Sequence, residues 1–90
     1  MLRITENFES GKTVRLRLDG TISRTSFAEL KETCASHQTS HEQIVLDMAG
    51  VVFMNNEVAT QVVSLRSERL RIINCSPFIE TLLNSVQQVQ

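Results

Sequence analysis

The chain has no tryptophan and no tyrosine, and its 90 residues include only four phenylalanines, three glycines and one proline. So few rings argue against a binder of single-stranded nucleic acid, which needs aromatic faces for bases to stack on. A formal net charge of −1 leaves no overall basic footprint for a phosphate backbone. No nucleic-acid partner is therefore expected. No apolar run approaches the ~20 residues that cross a bilayer, and the opening "MLRITENFES" lacks the apolar h-region of a secretory signal. No membrane insertion is expected, and the expected compartment is the cytoplasm. The two cysteines, Cys34 and Cys75, form no Cys-x-x-Cys pair and read as reduced packing residues.

Metal and catalytic chemistry are equally sparse. His37 and His41 are four apart in "SHQTSHEQ", a spacing that could grip a metal on a helix. That stretch is polar and loop-like and supplies no further ligand, so both histidines read as solvated. There is no nucleophile beside a base, no carboxylate pair at catalytic spacing and no glycine-rich phosphate loop. Catalysis is not expected, and neither is a cofactor.

What the chain does have is alternating and helical periodicity. One small domain, residues 1–90, is expected, burying roughly 60–65% of its unfolded surface. "LRITENF" alternates weakly and "ESGK" turns the chain. "TVRLRLDG" then alternates cleanly, with Val14, Leu16 and Leu18 on one face and Thr13, Arg15, Arg17 and Asp19 on the other. Together these predict a hairpin that ends at Gly20. Ser26 to Glu29 fits a capping box, and Phe27, Leu30 and Cys34 follow at helical spacing. That helix should fade into the polar stretch Ser36 to His41. "QIVLDM", Gln43 to Met48, is apolar on both faces, which suits a central strand covered by helices on both sides. Val58, Val62 and Leu65 mark a second helix, "RLRII" another strand, and Ser76-Pro77 the start of a third helix with Glu80 in its first turn. The order β-β-α-β-α-β-α predicts an α/β fold: a four-stranded mixed sheet with three helices.

In this order, the pieces "VRLRLDGTIS", "IVLDMAGVVFM" and "RLRIINCSPFIETLL" resemble a STAS domain. This is the fold shared by anti-sigma factor antagonists and the cytoplasmic part of sulphate transporters. The resemblance runs from Val14 to Leu83. It implies a protein-interaction module of bacterial signalling, partnered by an anti-sigma factor that is also a serine kinase of GHKL type. The alternative it implies is a regulatory subunit docking on a transporter or ABC-type ATPase. In the family, the strand continues into Asp-Ser-Ser-Gly-Leu, and the partner kinase phosphorylates the second serine, at a helix N-terminus. Laid on this chain without a gap, that pattern puts Asn55 at the Asp, Asn56 at the first Ser, Glu57 at the phosphorylated Ser and Val58 at the Gly. An acidic residue often present in the family falls on Ser23. The usual phosphorylation switch is therefore expected to be absent.

Read as residues alone, Asn55 or Asn56 would cap a helix and Glu57 would complement its dipole. Beside the resemblance, Glu57 becomes a permanent, weaker stand-in for phosphoserine, with one unit of charge against about 1.5 to 2. The expected partner surface comprises Ser23, Thr25, Asn55, Asn56, Glu57 and Val58, where Val58 would set a branched side chain in a partner's path. Thr25 and Ser26 are also hydroxyls at a helix start. Arg15, Arg17 and Arg71 alternate with apolar neighbours and read as a solvated sheet face, with a small anion-binding patch as the alternative reading. The family often adds a strand and helix after the third helix. Without them some apolar surface would be uncovered, and a homodimer is expected.

Overall fold

A computed structural model of the chain describes residues 2–39 and 43–87. The elements follow the expected order: β1 (Leu2–Phe8), β2 (Thr13–Ile22), α1 (Arg24–Gln38), β3 (Gln43–Met54), α2 (Asn56–Ser64), β4 (Leu70–Ile73) and α3 (Pro77–Gln87). β1 and β2 form an antiparallel hairpin, while β2–β3 and β3–β4 are parallel, giving one sheet in the order β1-β2-β3-β4. This is the α/β fold, a four-stranded mixed sheet with three helices, that the periodicity predicts.

The alternation in β2 places Val14, Leu16 and Leu18 in the core beside Ile44, Leu46 and Met48 of β3. Phe27, Leu30 and Cys34 of α1, Val58, Ala59 and Val62 of α2, and Ile79 and Leu83 of α3 close over them in the same cluster. Each fully buried large aliphatic contributes about 1.5–3 kcal/mol.

All three helices thus lie on one face, which corrects the expectation of helices on both. The reason is topological. From β2 to β3 to β4 the chain steps across the sheet in one direction, and right-handed crossovers stepping one way put their helices on one side. The opposite face carries Arg15, Arg17, Val45, Asp47, Arg71 and Ile73. Val45 is nonetheless only 4% exposed. It lies between Arg15 and Arg71 in the register, and long arginine stems can cover apolar surface where no helix does.

Two boundaries also differ from expectation. β2 does not end at Gly20 but continues to Ile22, and β3 runs past Met48 to Met54. The register of this pair shifts twice, between Arg17 and Asp19 and between Gly20 and Thr21, each time with an extra residue on β3. Gly20 takes φ 109°, open to glycine and strained for other residues. The bulges change the rhythm of β3, so that Met48, Val51 and Met54 reach the core while Val52 and Phe53 face outward. A period of two therefore cannot find the end of this strand.

A third correction concerns His37. It lies in the last turn of α1, buried, with Nε2 2.9 Å from Oε2 of Glu6 and its ring edge-on to Phe8 at 5.9 Å between centroids. It ties β1 to α1 and is not a solvated loop residue. His41 lies outside the described residues.

Gly50 pairs with Asp19 just after the first register shift, where there is no room for a side chain. A Cβ there would fall 2.8 Å from the backbone oxygen of Leu18 and collide with the Asp19 carboxylate. Gly50→Ala is expected to cost about 1–3 kcal/mol. Gly11→Ala, with nothing within 4 Å of the added carbon, should stay within about 0.5 kcal/mol. Urea unfolding of both variants checks this; equal midpoints would contradict it.

Candidate interaction edge

Because β2, β3 and β4 are parallel, their carboxyl ends lie along one edge of the sheet, and α1, α2 and α3 all begin there. Each helix start leaves backbone N–H groups in need of acceptors. Ser23 caps α1, its Oγ accepting from the Ser26 N–H at 3.2 Å. The capping pair is therefore Ser23–Ser26, with 3.0 Å between the hydroxyls, and not the expected Ser26–Glu29 box. The helix starts earlier because Ser23 already holds the extended conformation of a cap. Asn55 caps α2, its Oδ1 accepting from the Val58 N–H at 2.8 Å. Ser76 serves α3 as expected, its Oγ accepting from the Ile79 N–H at 3.3 Å.

Glu57 lies in the first turn of α2, at the dipole-positive end. Its Oε1 accepts from Nε of Arg24 at 2.9 Å and from the second guanidinium nitrogen at 2.6 Å. Arg24 opens α1, a position that disfavours a cation, and α1 has no acidic residue in its first turn. The Glu57 carboxylate thus answers the α2 N-terminus and balances Arg24 at the α1 N-terminus. Both side chains are exposed, 79% for Arg24 and 53% for Glu57, so water screens the pair and it adds at most about 1 kcal/mol.

Of the expected surface residues, Ser23, Thr25, Asn55, Asn56 and Glu57 are all exposed and lie at these two adjoining helix starts. Val58 does not belong with them. It is fully buried among core residues, so it presents no branched side chain to a partner, which corrects that expectation. The third residue of the helix capped by Asn55 turns inward here, as its place in the apolar stripe with Val62 requires.

Sequence reasoning missed two features of this edge. Arg24 stands 33 residues from Glu57, and no local pattern joins them. Phe53, on the last stretch of β3, stacks on Phe78 of α3 with 6.2 Å between centroids and 16° between planes. Both rings are about half exposed, and their link also depends on the fold.

Within β3, Asp47 fastens the strand to the residue that follows β4. Its Oδ1 accepts from the Ala49 N–H at 3.0 Å and from the Asn74 amide at 3.2 Å, and Oδ2 lies 3.5 Å from Nε of Arg15. Asn74 has φ 59°, a left-handed conformation that asparagine tolerates. Burial pushes the Asp47 carboxyl up. The Ala49 and Asn74 hydrogen bonds and the nearby Arg15 and Arg17 charges outweigh it and hold the group below the ordinary aspartate value.

The thiols are poor nucleophiles: burial pushes Cys34 up to about 11, and burial together with the Glu80 charge raises Cys75. Among the described residues, no group of three or more His, Cys, Asp or Glu side chains could hold a metal, and no helix is long and apolar enough to cross a membrane.

The fold is STAS-like. Among solved structures, the anti-sigma factor antagonist SpoIIAA in its unphosphorylated form matches with a TM-score of 0.69 and 18% sequence identity, over 91% of this chain and 82% of that one. Searches of family models and of curated proteins find no match.

Two predictions follow from the geometry of this edge and its support. In a double-mutant cycle of Arg24→Ala and Glu57→Ala, the coupling in unfolding free energy should stay below about 1 kcal/mol; a larger coupling would make the pair structural. For Asp47, a folded pKa below the unfolded one gives stability that is complete above about pH 3.9 and lost as pH falls through the folded value. Asp47→Asn should therefore be less stable than wild type at neutral pH, and the gap should narrow in acid. Parallel acid-unfolding curves for the two proteins would refute this.

Proposed function

We propose that this chain is a non-enzymatic protein-interaction module of bacterial signalling, related in role to the anti-sigma factor antagonists, that works in the cytoplasm without a phosphorylation switch. The observation that carries this reading is the exposed Glu57 carboxylate in the first turn of α2, paired with Arg24. It stands where the family resemblance puts a phosphorylated serine. A carboxylate at this position has no hydroxyl to receive phosphate. Its single charge is balanced by Arg24, whereas a phosphoserine of about −1.5 to −2 would exceed it. The edge is thus held permanently in one charge state, close to neutral.

Ser23, Thr25, Asn55 and Asn56 flank the pair and offer polar side chains to a partner. The partner proposed is an anti-sigma factor with a GHKL-type kinase fold. In this reading, the partner is one that binds the neutral edge and is repelled by excess negative charge there. Arg24→Ala, which leaves Glu57 unbalanced, should then weaken capture of that partner from native lysate. Glu57→Ser should restore phosphorylation at position 57; the unphosphorylated bait should keep capture and the phosphorylated bait should lose it. Quantitative mass spectrometry of the captured proteins and of the bait reads both effects. Recovery of a membrane-associated transporter ATPase instead, or capture indifferent to both substitutions, would overturn the proposal.

A further inference from the structure

The helix-free face of the sheet carries chemistry that the edge does not use. By strand alternation it holds Arg3, Arg15, Arg17 and Arg71 against Asp19 and Asp47, and Glu9 of the hairpin turn reaches Arg15 there, leaving an excess of one positive charge on a chain of net charge −1. The rest of the chain therefore carries an excess of two negative charges, so the helix-free face is the more positive one. The aspartates do not consume all the arginines. Arg15 lies near Asp47 and Glu9, and Arg17 reaches Asp19 at 3.4 Å, but among the described residues the guanidinium groups of Arg3 and Arg71 have no hydrogen-bond or ion-pair partner.

The same face has an apolar end. In the bulged register Phe53 pairs with Thr21, while the next pair, Ile22 with Met54, points into the core. Phe53 thus turns to the helix-free side, where Phe78 stacks on it from the start of α3. Three of the four phenylalanines are about half exposed, Phe8, Phe53 and Phe78, and only Phe27 is buried. A small domain gains most by burying its aromatic rings. Two rings left stacked at one end of a face that carries arginines match the side-chain types concentrated in the energetic centres of protein interfaces.

We propose that this helix-free face is a second protein-docking surface, separate from the Glu57 edge, which takes an acidic amphipathic segment. The segment's apolar side chain seats on the Phe53–Phe78 pair and its carboxylates meet Arg71, Arg17 and Arg3. Charge complementarity selects an acidic occupant, and the aromatic end selects one with an apolar anchor. The arginines lie on strands rather than on flexible loops, so little order is lost when a carboxylate is met. This does not rest on the function proposed for the edge: either surface could fail without the other.

The test uses the whole chain, isotopically labelled, and a synthetic helix of about fifteen residues with leucines on one face and glutamates on the other. Expected shifts in amide, arginine Nε–H and phenylalanine ring signals cluster on the helix-free face of β1, β2, β3 and β4 and on the start of α3. The paired substitution Arg17→Glu with Arg71→Glu should weaken binding about tenfold or more, and Phe53→Ser should weaken it severalfold. Glu57→Ala should leave it unchanged. Circular dichroism melting of each variant confirms that the fold persists, and since all three residues are surface-exposed it should. Shifts scattered elsewhere, or no binding at all, would overturn the proposal. So would affinity indifferent to the arginine reversals, preference for phosphatidylserine vesicles or a short DNA duplex over the peptide, or the same shifts from raising the protein concentration alone.

Discussion

Two parallel crossovers that step the same way across the sheet set nearly everything else in this molecule. A right-handed crossover from β2 to β3 puts α1 on one side, and a second from β3 to β4 puts α2 on that same side. α3 then packs into the same core. Three consequences follow at once: the sheet has one covered face and one open face, the three helix N-termini share an edge, and residues distant in sequence meet there. Reverse either step and the arginines of β2 and β4 would lie under a helix, where unpaired charge is costly.

The shared edge concentrates backbone N–H groups and positive helix ends in one region. Its caps, Ser23, Asn55 and Ser76, supply local acceptors. Glu57 supplies the one first-turn carboxylate at the paired α1 and α2 starts, and Arg24 meets it from the less favourable of the two helix positions. None of this requires a partner; the pair is weak because both side chains are in water. The pair leaves the negative charge of Glu57 matched by the positive charge of Arg24. Rigid support comes from below, where the buried Asp47 carboxylate holds the backbone of β3 and the side chain of Asn74 beyond β4.

The open face is held by different forces. Val45 and Asp47 are nearly inaccessible although no helix covers them. Their neighbours in the register are arginines, which combine aliphatic length with a charged end that stays in water. A single residue type thereby shields the strands and colours the surface with positive charge, and the bulges of β3 then turn Phe53 toward that surface.

Much of this could be read in the sequence, because short-range physics decides it. The alternation of β2, the stripes Phe27-Leu30-Cys34 and Val58-Val62, and the Ser76-Pro77 start each follow from a repeat or cap spanning a few residues. They were sufficient for the element order, the α/β fold and the placement of Glu57 at a helix start. The tertiary structure alone decided which face each helix covers, that Arg24 answers Glu57, that His37 is a buried clasp on Glu6, and that Phe53 finds Phe78. It also decided the true length of β3, because a bulge is a mismatch between two strands and neither strand carries it by itself. Periodicity reports what one segment prefers; contacts between segments exist only once crossover handedness and register have brought them together.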